Sequence, residues 1–178
     1  MSEELFNAHA QGKIRAVSGR ASDFFGPRAL QSALGERIFY SALRGKAAQV
    51  LGNPDLPHTY TYVPDIGKAL VVLGEQDEAL GKAWHLPNPE TVSTRQIVEM
   101  IYKKLNHPLK IQVASKRLIR IIGIFNPIVR ELAEMMYEFE EPFLVDDSKF
   151  RKFFGLQATP FDQAISKTLE WFKNHPRN

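Results

Sequence analysis

Short blocks of apolar and β-branched residues recur along the chain, separated by polar and glycine-containing stretches. Blocks of roughly four to eight residues bounded in this way are typical of strands. The block at residues 14–18 is short and apolar, so we expect the first strand there, buried on both faces. The other blocks predict strands over residues 47–51, 59–63, 83–87, 109–113 and 142–147.

Between these blocks, apolar residues recur every three or four positions, which predicts amphipathic helices. The clearest helix covers residues 94–105, where Ser93 and Gln96 have the spacing of a capping box. Asp65 and Thr159 are expected to be the N-caps of two further helices. The remaining predicted helices cover residues 2–11, 31–44, 65–73, 115–122, 127–139 and the segment that begins at residue 159.

Strands and helices therefore alternate, which predicts an α/β fold. The strands are few and short, so a parallel sheet built only from this chain would be thin. The part of the chain from about residue 86 onwards is richer in helix than the part before it. This imbalance is the first sign that the sheet is incomplete.

The composition is that of an ordinary globular protein: 178 residues, of which 44% are hydrophobic and 24% charged. The absence of cysteine excludes a disulfide framework and a thiolate zinc site, and it suits the cytosol. No signal peptide is visible after Met1, and no apolar run approaches the roughly 18 residues of a membrane span. The net charge of +3 is scattered along the chain. We therefore expect a cytoplasmic protein with neither nucleic acid nor membrane as a partner.

Common catalytic and cofactor motifs are missing from the sequence. The five histidines show no metal-ligand spacing, so no metal site is predicted. There is no P-loop, no Gly-x-Ser-x-Gly elbow and no Gly-x-x-Gly-x-x-Gly turn after an opening strand. None of the five tyrosines has a lysine four residues later. From its own motifs, the sequence predicts no catalytic residue and no pyrophosphate cradle.

Three stretches, in order, nevertheless resemble the NAD(P)-dependent epimerase/dehydratase family of extended short-chain dehydrogenase/reductases, and its atypical branch in particular. GRASDFFGPR, at residues 19–28, is similar to the family's R-x-x-N-x-Y-G-P segment. YTYVPDIGKAL, at residues 60–70, is similar to its V-x-D-hydrophobic-A-x-A-[LI] element. DDSKFRKFFGLQATPFDQAISKTLEWF, at residues 146–172, is similar to its closing pattern of a polar residue, a helix, Gly-x-x-Pro and a terminal helix.

The resemblance implies the C-terminal part of a Rossmann-like fold with a small, helix-rich substrate domain. Residues 1–85 would hold the last part of the sheet with insertions to the substrate domain, and residues 86–178 a mostly helical substrate-binding portion. In the family, the glycine-rich turn and the catalytic Tyr and Lys come earlier in the chain. Met1 would therefore begin after them, and residues 2–11 would be the tail of the helix that carries the pair.

The complete family member would use NAD or NADP to move a hydride to or from a hydroxyl or carbonyl carbon of a small, sugar-like substrate. Because the Tyr and Lys are missing, this chain alone is expected to be inactive and to bind neither cofactor tightly. The alternative is a non-catalytic domain that associates through the sheet edge beside residues 14–18. Its partner would be a second copy of the chain or the missing N-terminal half.

The resemblance also implies which residues line the pocket. The cofactor side would be formed by Ser22, Asp23 and Phe25, and the substrate side by Phe24, Arg28, His58 and Tyr60. The other interpretation of this segment is a plain strand-to-loop turn shaped by Gly26 and Pro27, with its phenylalanines in the core. Both interpretations remain open at this point.

Two positions depart from the family pattern. Asp23 and Phe25 replace Asn and Tyr, and a carboxylate near the reacting carbon disfavours an anionic substrate group there. His58 replaces an arginine with which nucleotide-sugar enzymes often hold a diphosphate. Histidine is largely neutral at pH 7 and cannot bind a phosphate bidentately as arginine does. A nucleotide-sugar substrate is therefore disfavoured.

Several further residues have structural interpretations. Arg20 is expected to be buried near a strand end and paired with a carboxylate, with Asp65 as the candidate. Trp84 and His85 are expected to pack in the core. The segment 116–139 can be interpreted as a membrane-surface helix or as an apolar helix pair that roofs the substrate pocket.

Overall fold

A computed structural model of the protein describes residues 2–114 and 134–177. Within these ranges the chain forms six α-helices and eight short strands. The predicted α/β class is confirmed. The helix predicted over residues 115–122, and most of the one predicted over 127–139, lie outside the described residues.

The strands are β1 (Ser18–Arg20), β2 (Asp23–Phe25), β3 (Ala48–Leu51), β4 (Pro57–His58), β5 (Tyr60–Tyr62), β6 (Ala83–His85), β7 (Val92–Ser93) and β8 (Ile111–Ala114). The helices are α1 (Ser2–Ala10), α2 (Glu36–Leu43), α3 (Val63–Glu75), α4 (Thr94–Lys104), α5 (Ser148–Phe154) and α6 (Phe161–Asn174). Short 3₁₀ turns cover Asp77–Ala79 and Met136–Phe139.

The strands associate in pairs. Three pairs are parallel, namely β1 with β6, β2 with β5 and β3 with β8, and β4 pairs antiparallel with β7. Parallel neighbours need crossover connections, and α3 provides one of them between β5 and β6. In the described residues, therefore, the sheet consists of short two-stranded pieces, as thin as the sequence predicts.

Two hydrophobic cores hold these pieces together. The larger lies between α2, α4 and α6 and the strands β2, β3 and β5, and its rings of Phe39 and Phe172 stack 4.9 Å apart. The smaller joins α3, β6 and α5 around Trp84 and Phe150. The larger core takes residues from both sides of the domain boundary expected after residue 85, so the division into 1–85 and 86–178 stays a prediction.

The predicted first strand is displaced. The structure begins β1 at Ser18, where Ser18 pairs with Ala83 of β6, and Ile14 is 44% exposed instead of buried on both faces. An apolar block marks residues that favour extended backbone, but the strand forms only where a partner is in register. The expected strand at 142–147 is likewise reduced to a single bridge between Phe143 and His58.

Local signals gave mixed results for the helix starts. The capping box of α4 is confirmed, since Ser93 Oγ accepts from Gln96 N at 3.2 Å and Gln96 Oε1 accepts from Ser93 N at 2.7 Å. The helix expected over residues 31–44 begins only at Glu36. Its amide donates to the carbonyl of Leu30 and closes a loop ahead of the helix.

The two expected N-caps at Asp65 and Thr159 are wrong, because these residues bond to each other. Tyr62 precedes α3 and Pro160 precedes α6, without a side-chain cap. Asp65 is buried and accepts from Thr159 N at 2.6 Å and from Thr159 Oγ1 at 2.8 Å. The hydrogen bonds between Asp65 and Thr159 therefore take the place of the two local capping bonds that the sequence predicts.

Arg20 and His85 also differ from expectation. Arg20 is exposed, and the cation beside Asp65 is Lys68, with 3.0 Å between Nζ and Oδ1. Trp84 is buried as expected, but His85 is exposed because successive residues of a strand point to opposite faces. Strand alternation therefore places Trp84 and His85 in different environments, although both are expected in the core.

Replacing Gly67 with alanine is expected to raise the free energy of unfolding by about 0.5–1 kcal/mol. Gly67 lies inside α3, and an added Cβ would meet no atom within 4 Å. Alanine would therefore reduce the backbone entropy of the unfolded chain without a clash. Urea unfolding of the two proteins measures the difference.

Gly35→Ala is the matched control for this substitution. There the added Cβ would lie 2.2 Å from the carbonyl oxygen of Leu30. The same change should therefore destabilise the protein at Gly35. A loss of stability in Gly67→Ala would show that the exposed face of α3 is not as open as the structure describes.

Candidate functional site

The chain changes partner strands between β1 and β2. Only residues 21 and 22 separate the two strands, yet β1 pairs with β6 and β2 with β5. Ser22 and Asp23 therefore follow the carboxyl end of β1, and Asn88 follows that of β6. Ligands of open α/β sheets bind outside the carboxyl ends of parallel strands, at places where the strand order changes. This edge is the candidate site.

Five polar residues lie at this edge in two hydrogen-bonded groups, and we call them together the polar junction: Ser22, Thr61 and Asn88 in one group, and Asp23 and His58 in the other. Period-two alternation along β5 positions Thr61 on the face opposite to Tyr60 and Tyr62.

Three members of the junction form a closed hydrogen-bond network. Ser22 Oγ lies 2.7 Å from Thr61 Oγ1, and Thr61 Oγ1 donates to Asn88 Oδ1 at 2.6 Å. Ser22 Oγ also lies 3.2 Å from Asn88 Oδ1. All three residues are buried. Fully paired buried groups of this kind fix the backbone that carries them.

A second layer holds Asn88 in place. The carboxylate of Asp147 accepts a hydrogen bond from the backbone amide of Asn88 at 2.8 Å. Arg151 Nε donates to the same carboxylate at 3.0 Å. Asp147 immediately precedes α5. The start of α5 is thereby tied to the segment that follows β6.

The other two residues of the junction, Asp23 and His58, form a hydrogen-bonded pair of an acidic and a basic side chain. His58 Nε2 donates to Asp23 Oδ2 at 2.9 Å, since an ionised carboxylate can only accept. The side chain of His58 is 5% exposed, whereas that of Asp23 is 31% exposed. Asp23 is the only one of the five residues that is partly exposed.

Aromatic rings surround His58. Its ring centroid lies 4.5 Å from that of Tyr60, 4.9 Å from Phe143 and 5.7 Å from Phe139. Tyr60 is also buried, and its hydroxyl lies 2.8 Å from Thr94 Oγ1. Burial raises the pKa of the Tyr60 phenol above its usual range, so this phenol stays protonated at neutral pH. His58 therefore contacts Asp23 through Nε2 while its ring packs against three aromatic side chains.

No family model matches this sequence. A trifunctional UDP-glucose 4,6-dehydratase/UDP-4-keto-6-deoxy-D-glucose 3,5-epimerase/UDP-4-keto-L-rhamnose-reductase of Arabidopsis thaliana is 19% identical over 163 residues, which are 92% of this chain and 22% of that enzyme. A second Arabidopsis enzyme of the same description is 18% identical over the same shares.

Solved structures give the same picture. An epimerase from Methanothermobacter thermautotrophicus has a TM-score of 0.75 at 17% identity and covers 98% of this chain with 48% of its own. UDP-glucuronic acid 4-epimerase from Bacillus cereus, in complex with UDP-glucuronic acid and NAD, has a TM-score of 0.74 at 17% identity, with 98% and 50% covered. UDP-N-acetylglucosamine 4-epimerase from Methanobrevibacter ruminantium has a TM-score of 0.75 at 16% identity, with 98% and 51% covered.

The chain has the fold of part of an epimerase/dehydratase of the short-chain dehydrogenase/reductase type. The predicted resemblance and fold class are confirmed. The chain spans about half the length of the solved structures and about a fifth of the length of the curated relatives that it matches.

The residues expected to line the pocket divide into two groups in this partial epimerase/dehydratase fold. Ser22, Asp23, His58 and Tyr60 lie together at or beside the polar junction. Phe24 and Arg28 instead line an open cavity of about 430 Å³, together with residues 29–32 and Arg177. Their roles towards a cofactor or substrate stay predictions.

Phe25 is placed differently from the other expected site residues. Its side chain is 0% exposed, and its ring centroid lies 5.6 Å from Tyr62 and 5.8 Å from Phe161. These contacts agree with the second interpretation of the segment, in which a phenylalanine of the turn belongs to the core. The role expected for Phe25 on the cofactor side stays a prediction.

Thr61, Asn88 and Asp147 were not recognised in the sequence. The alternating sequence YTY could have indicated Thr61, because the side chain of the middle residue of a strand points to the face opposite to that of its two neighbours. Asn88 and Asp147 lie 59 residues apart and meet only through the tertiary fold.

Gly26 and Gly35 do not offer a cradle for a dinucleotide's pyrophosphate. Gly35 precedes α2, but the space of its missing Cβ is taken by backbone oxygens of Leu30 and Ala29. Gly26 likewise faces the side chains of Tyr62 and Val63. Neither leaves a backbone cradle for a phosphate to approach, so no chemical step of a dinucleotide is assigned to these residues.

Among residues 2–114 and 134–177, no three His, Asp or Glu side chains lie where they could share a metal ion. In these ranges no helix has the length and apolarity required to cross a lipid bilayer.

Proposed function

We propose that this chain is the substrate-domain half of an NAD(P)-dependent epimerase, dehydratase or reductase that acts on a hydroxyl or carbonyl of a small, sugar-like substrate. The observation that carries the proposal is the polar junction at the carboxyl ends of the parallel strands β1 and β6. The fold around it is that of enzymes named as epimerases and dehydratases, some of them in complex with NAD.

The junction supplies a rigid wall rather than the reacting groups. The side chains of Ser22, Thr61 and Asn88 hydrogen-bond to one another. His58 hydrogen-bonds to Asp23 and packs against its aromatic neighbours. The sequence contains no Tyr-x-x-x-Lys pair and no glycine-rich dinucleotide turn. In the proposal, the acid/base pair and the nicotinamide therefore belong to the other half of the enzyme, and this chain alone has no turnover.

The first test is cofactor binding by the 178-residue chain alone, measured by calorimetry with NADH and NADPH. We expect a dissociation constant weaker than about 1 mM for both, because the sequence has no glycine-rich dinucleotide turn. An intact epimerase of the family, in the same buffer, serves as the positive control. Micromolar binding by the chain alone would refute the proposal that the cofactor site lies in another half.

A second candidate function rests on the free side of β1. In the described ranges β1 pairs only with β6, Ile14 is exposed four residues before this strand, and Leu70 is exposed beside it. The side chain of Leu70 covers Gly19 of β1, with Cδ2 2.9 Å from the position of an added Cβ. We propose, as the alternative, a non-catalytic domain that associates through this edge. Gel filtration over a range of concentrations tests it, and a monomer throughout would contradict association between copies.

A further inference from the structure

The fold gathers basic side chains around one cavity on the outer side of α2. This cavity has a volume of about 240 Å³ and lies between α2 and the segment that follows α6. Its wall holds one carboxylate, that of Glu36, and four basic side chains, those of Arg37, Arg44, Lys46 and Arg177. The net formal charge of the wall is therefore as large as the +3 of the whole chain. Charge of one sign in a concave surface raises the local concentration of counter-ions.

The geometry of α2 brings three of these residues together. Residues three, four and seven positions apart lie on the same face of an α-helix. Arg37 and Arg44 therefore lie along one face of α2 with Tyr40 between them, and Lys46 follows two residues after the C-cap. The opposite face of the helix packs into the larger core. The basic face is thus fixed by a buried one.

The carboxylate in the wall neutralises one of the four cations. Arg177 Nη1 donates to Glu36 Oε2. Arg44 Nη2 donates to the backbone carbonyl of Arg177, which carries no charge. The guanidinium carbon of Arg44 also lies 5.8 Å from the ring centroid of Tyr40. These contacts orient Arg44 and leave its charge uncompensated.

The remaining two cations are exposed and unpaired. Within residues 2–114 and 134–177, the guanidinium of Arg37 and the ammonium of Lys46 have no hydrogen-bond or ion-pair partner. Arg37 also lies in the first turn of α2, where the positive end of the helix dipole disfavours a cation. The helix itself therefore gains nothing from this arginine, whereas an anion in the cavity would pair with it.

The side chains in the wall define the chemistry of that anion. Guanidinium and ammonium groups only donate hydrogen bonds, and the planar fork of arginine matches two oxygens of one phosphate. A suitable ligand therefore carries several acceptor oxygens and more than one negative charge. A terminal diphosphate group meets both conditions.

We infer that this cavity binds a terminal diphosphate group, with Arg37, Arg44 and Lys46 as its cationic contacts. Glu36 positions Arg177 at the edge of the cavity. None of the lining residues belongs to the polar junction, so the site is separate from the one described above. The inference concerns binding alone, and it does not depend on the proposed function.

The test is an NMR titration of the ¹⁵N-labelled 178-residue chain with inorganic pyrophosphate, in a buffer free of divalent cations. We expect shifts of the backbone amides of Arg37, Tyr40, Arg44 and Lys46. Half-saturation should occur at about 1–5 mM, because each exposed ion pair strengthens binding by no more than about fivefold. Raising NaCl from about 0.05 M to about 0.3 M should weaken binding, because exposed charges are screened.

ADP and NADH distinguish the possible sources of the diphosphate. Half-saturation by ADP at the same concentration as pyrophosphate would show that the cavity recognises the diphosphate alone, and tighter binding of ADP would identify a nucleotide as the source. NADH should shift the same amides less at equal concentration, because both of its central phosphates are esterified and no terminal phosphate is left.

Arg37→Gln removes one charge and should weaken pyrophosphate binding by about threefold, and Arg37→Gln/Lys46→Gln by at least about tenfold. Arg37→Lys keeps the charge and should retain most of the affinity. Lys167→Gln is the matched control, because Lys167 is an exposed cation on α6 outside the cavity. It should leave the affinity unchanged.

Four results would overturn the inference. They are the absence of shifts up to about 20 mM pyrophosphate, largest shifts outside the cavity, an equal loss of affinity in Lys167→Gln and Arg37→Gln, and binding of a short DNA duplex more than about tenfold tighter than pyrophosphate. The last result would indicate a nucleic-acid surface instead of a small-anion cavity. The map of shifts in the wild-type chain is decisive by itself if a variant does not fold.

Discussion

Replacing Phe25 with alanine is expected to lower the free energy of unfolding by about 3–5 kcal/mol. The side chain is 0% exposed and packs between the rings of Tyr62 and Phe161, at centroid distances of 5.6 and 5.8 Å. Truncation removes the apolar surface of the ring and leaves a cavity between β2, β5 and α6. Urea unfolding followed by circular dichroism measures the loss as a lower midpoint.

Phe24 provides the matched control, because it is the same residue type one position earlier. Its side chain is 46% exposed and lines the open cavity with Arg28. Phe24→Ala should change the free energy of unfolding by no more than about 0.5 kcal/mol. A similar loss in both variants would show that Phe24 is also a core residue, and it would remove Phe24 from the expected pocket lining.

The comparison also separates the two interpretations of GRASDFFGPR. The resemblance implied ligand contacts for both phenylalanines, and the alternative placed both in the core. The structure supports the core interpretation for Phe25 and leaves Phe24 available to a ligand. Strand alternation explains the difference, since adjacent residues of β2 face opposite sides. The sequence alone did not show which of the two faces the core.

Local features could be predicted from the sequence, because their partners are close along the chain. The capping box of Ser93 and Gln96 spans three residues and formed as expected. The alternation of strands and helices gave the fold class, and three ordered motifs gave the resemblance. These signals need no knowledge of tertiary contacts.

Long-range pairing could not be predicted in the same way. Asp23 and His58 are 35 residues apart, and each was considered separately as a departure from the family pattern. β1 began four residues later than expected because the register with β6 decides where a strand starts. The sequence therefore indicates some residues of the candidate site, such as Asp23 and His58, but it does not indicate which of them contact each other.

Replacing Asp65 with alanine is expected to lower the free energy of unfolding by about 2–4 kcal/mol. Asp65 is buried at the start of α3 and accepts from the backbone amide and the hydroxyl of Thr159, 94 residues away. Its removal leaves both donors without this acceptor and releases the segment before α6 from α3. Lys68→Ala is the control, because Lys68 is 59% exposed and its ion pair with Asp65 should contribute less than about 1 kcal/mol.

A double-mutant cycle decides whether the contact between Asp65 and Thr159 is the cause. Thr159→Val removes the hydroxyl and keeps the shape, and alone it should cost about 1–2 kcal/mol. If the two residues act through their hydrogen bond, the double variant Asp65→Ala/Thr159→Val should be more stable than the sum of the single losses predicts, by at least about 0.5 kcal/mol. Strict additivity would mean that the hydroxyl of Thr159 does not contribute through Asp65, which leaves the bond from the Thr159 backbone amide to Asp65 as the contact that joins α3 to the segment before α6.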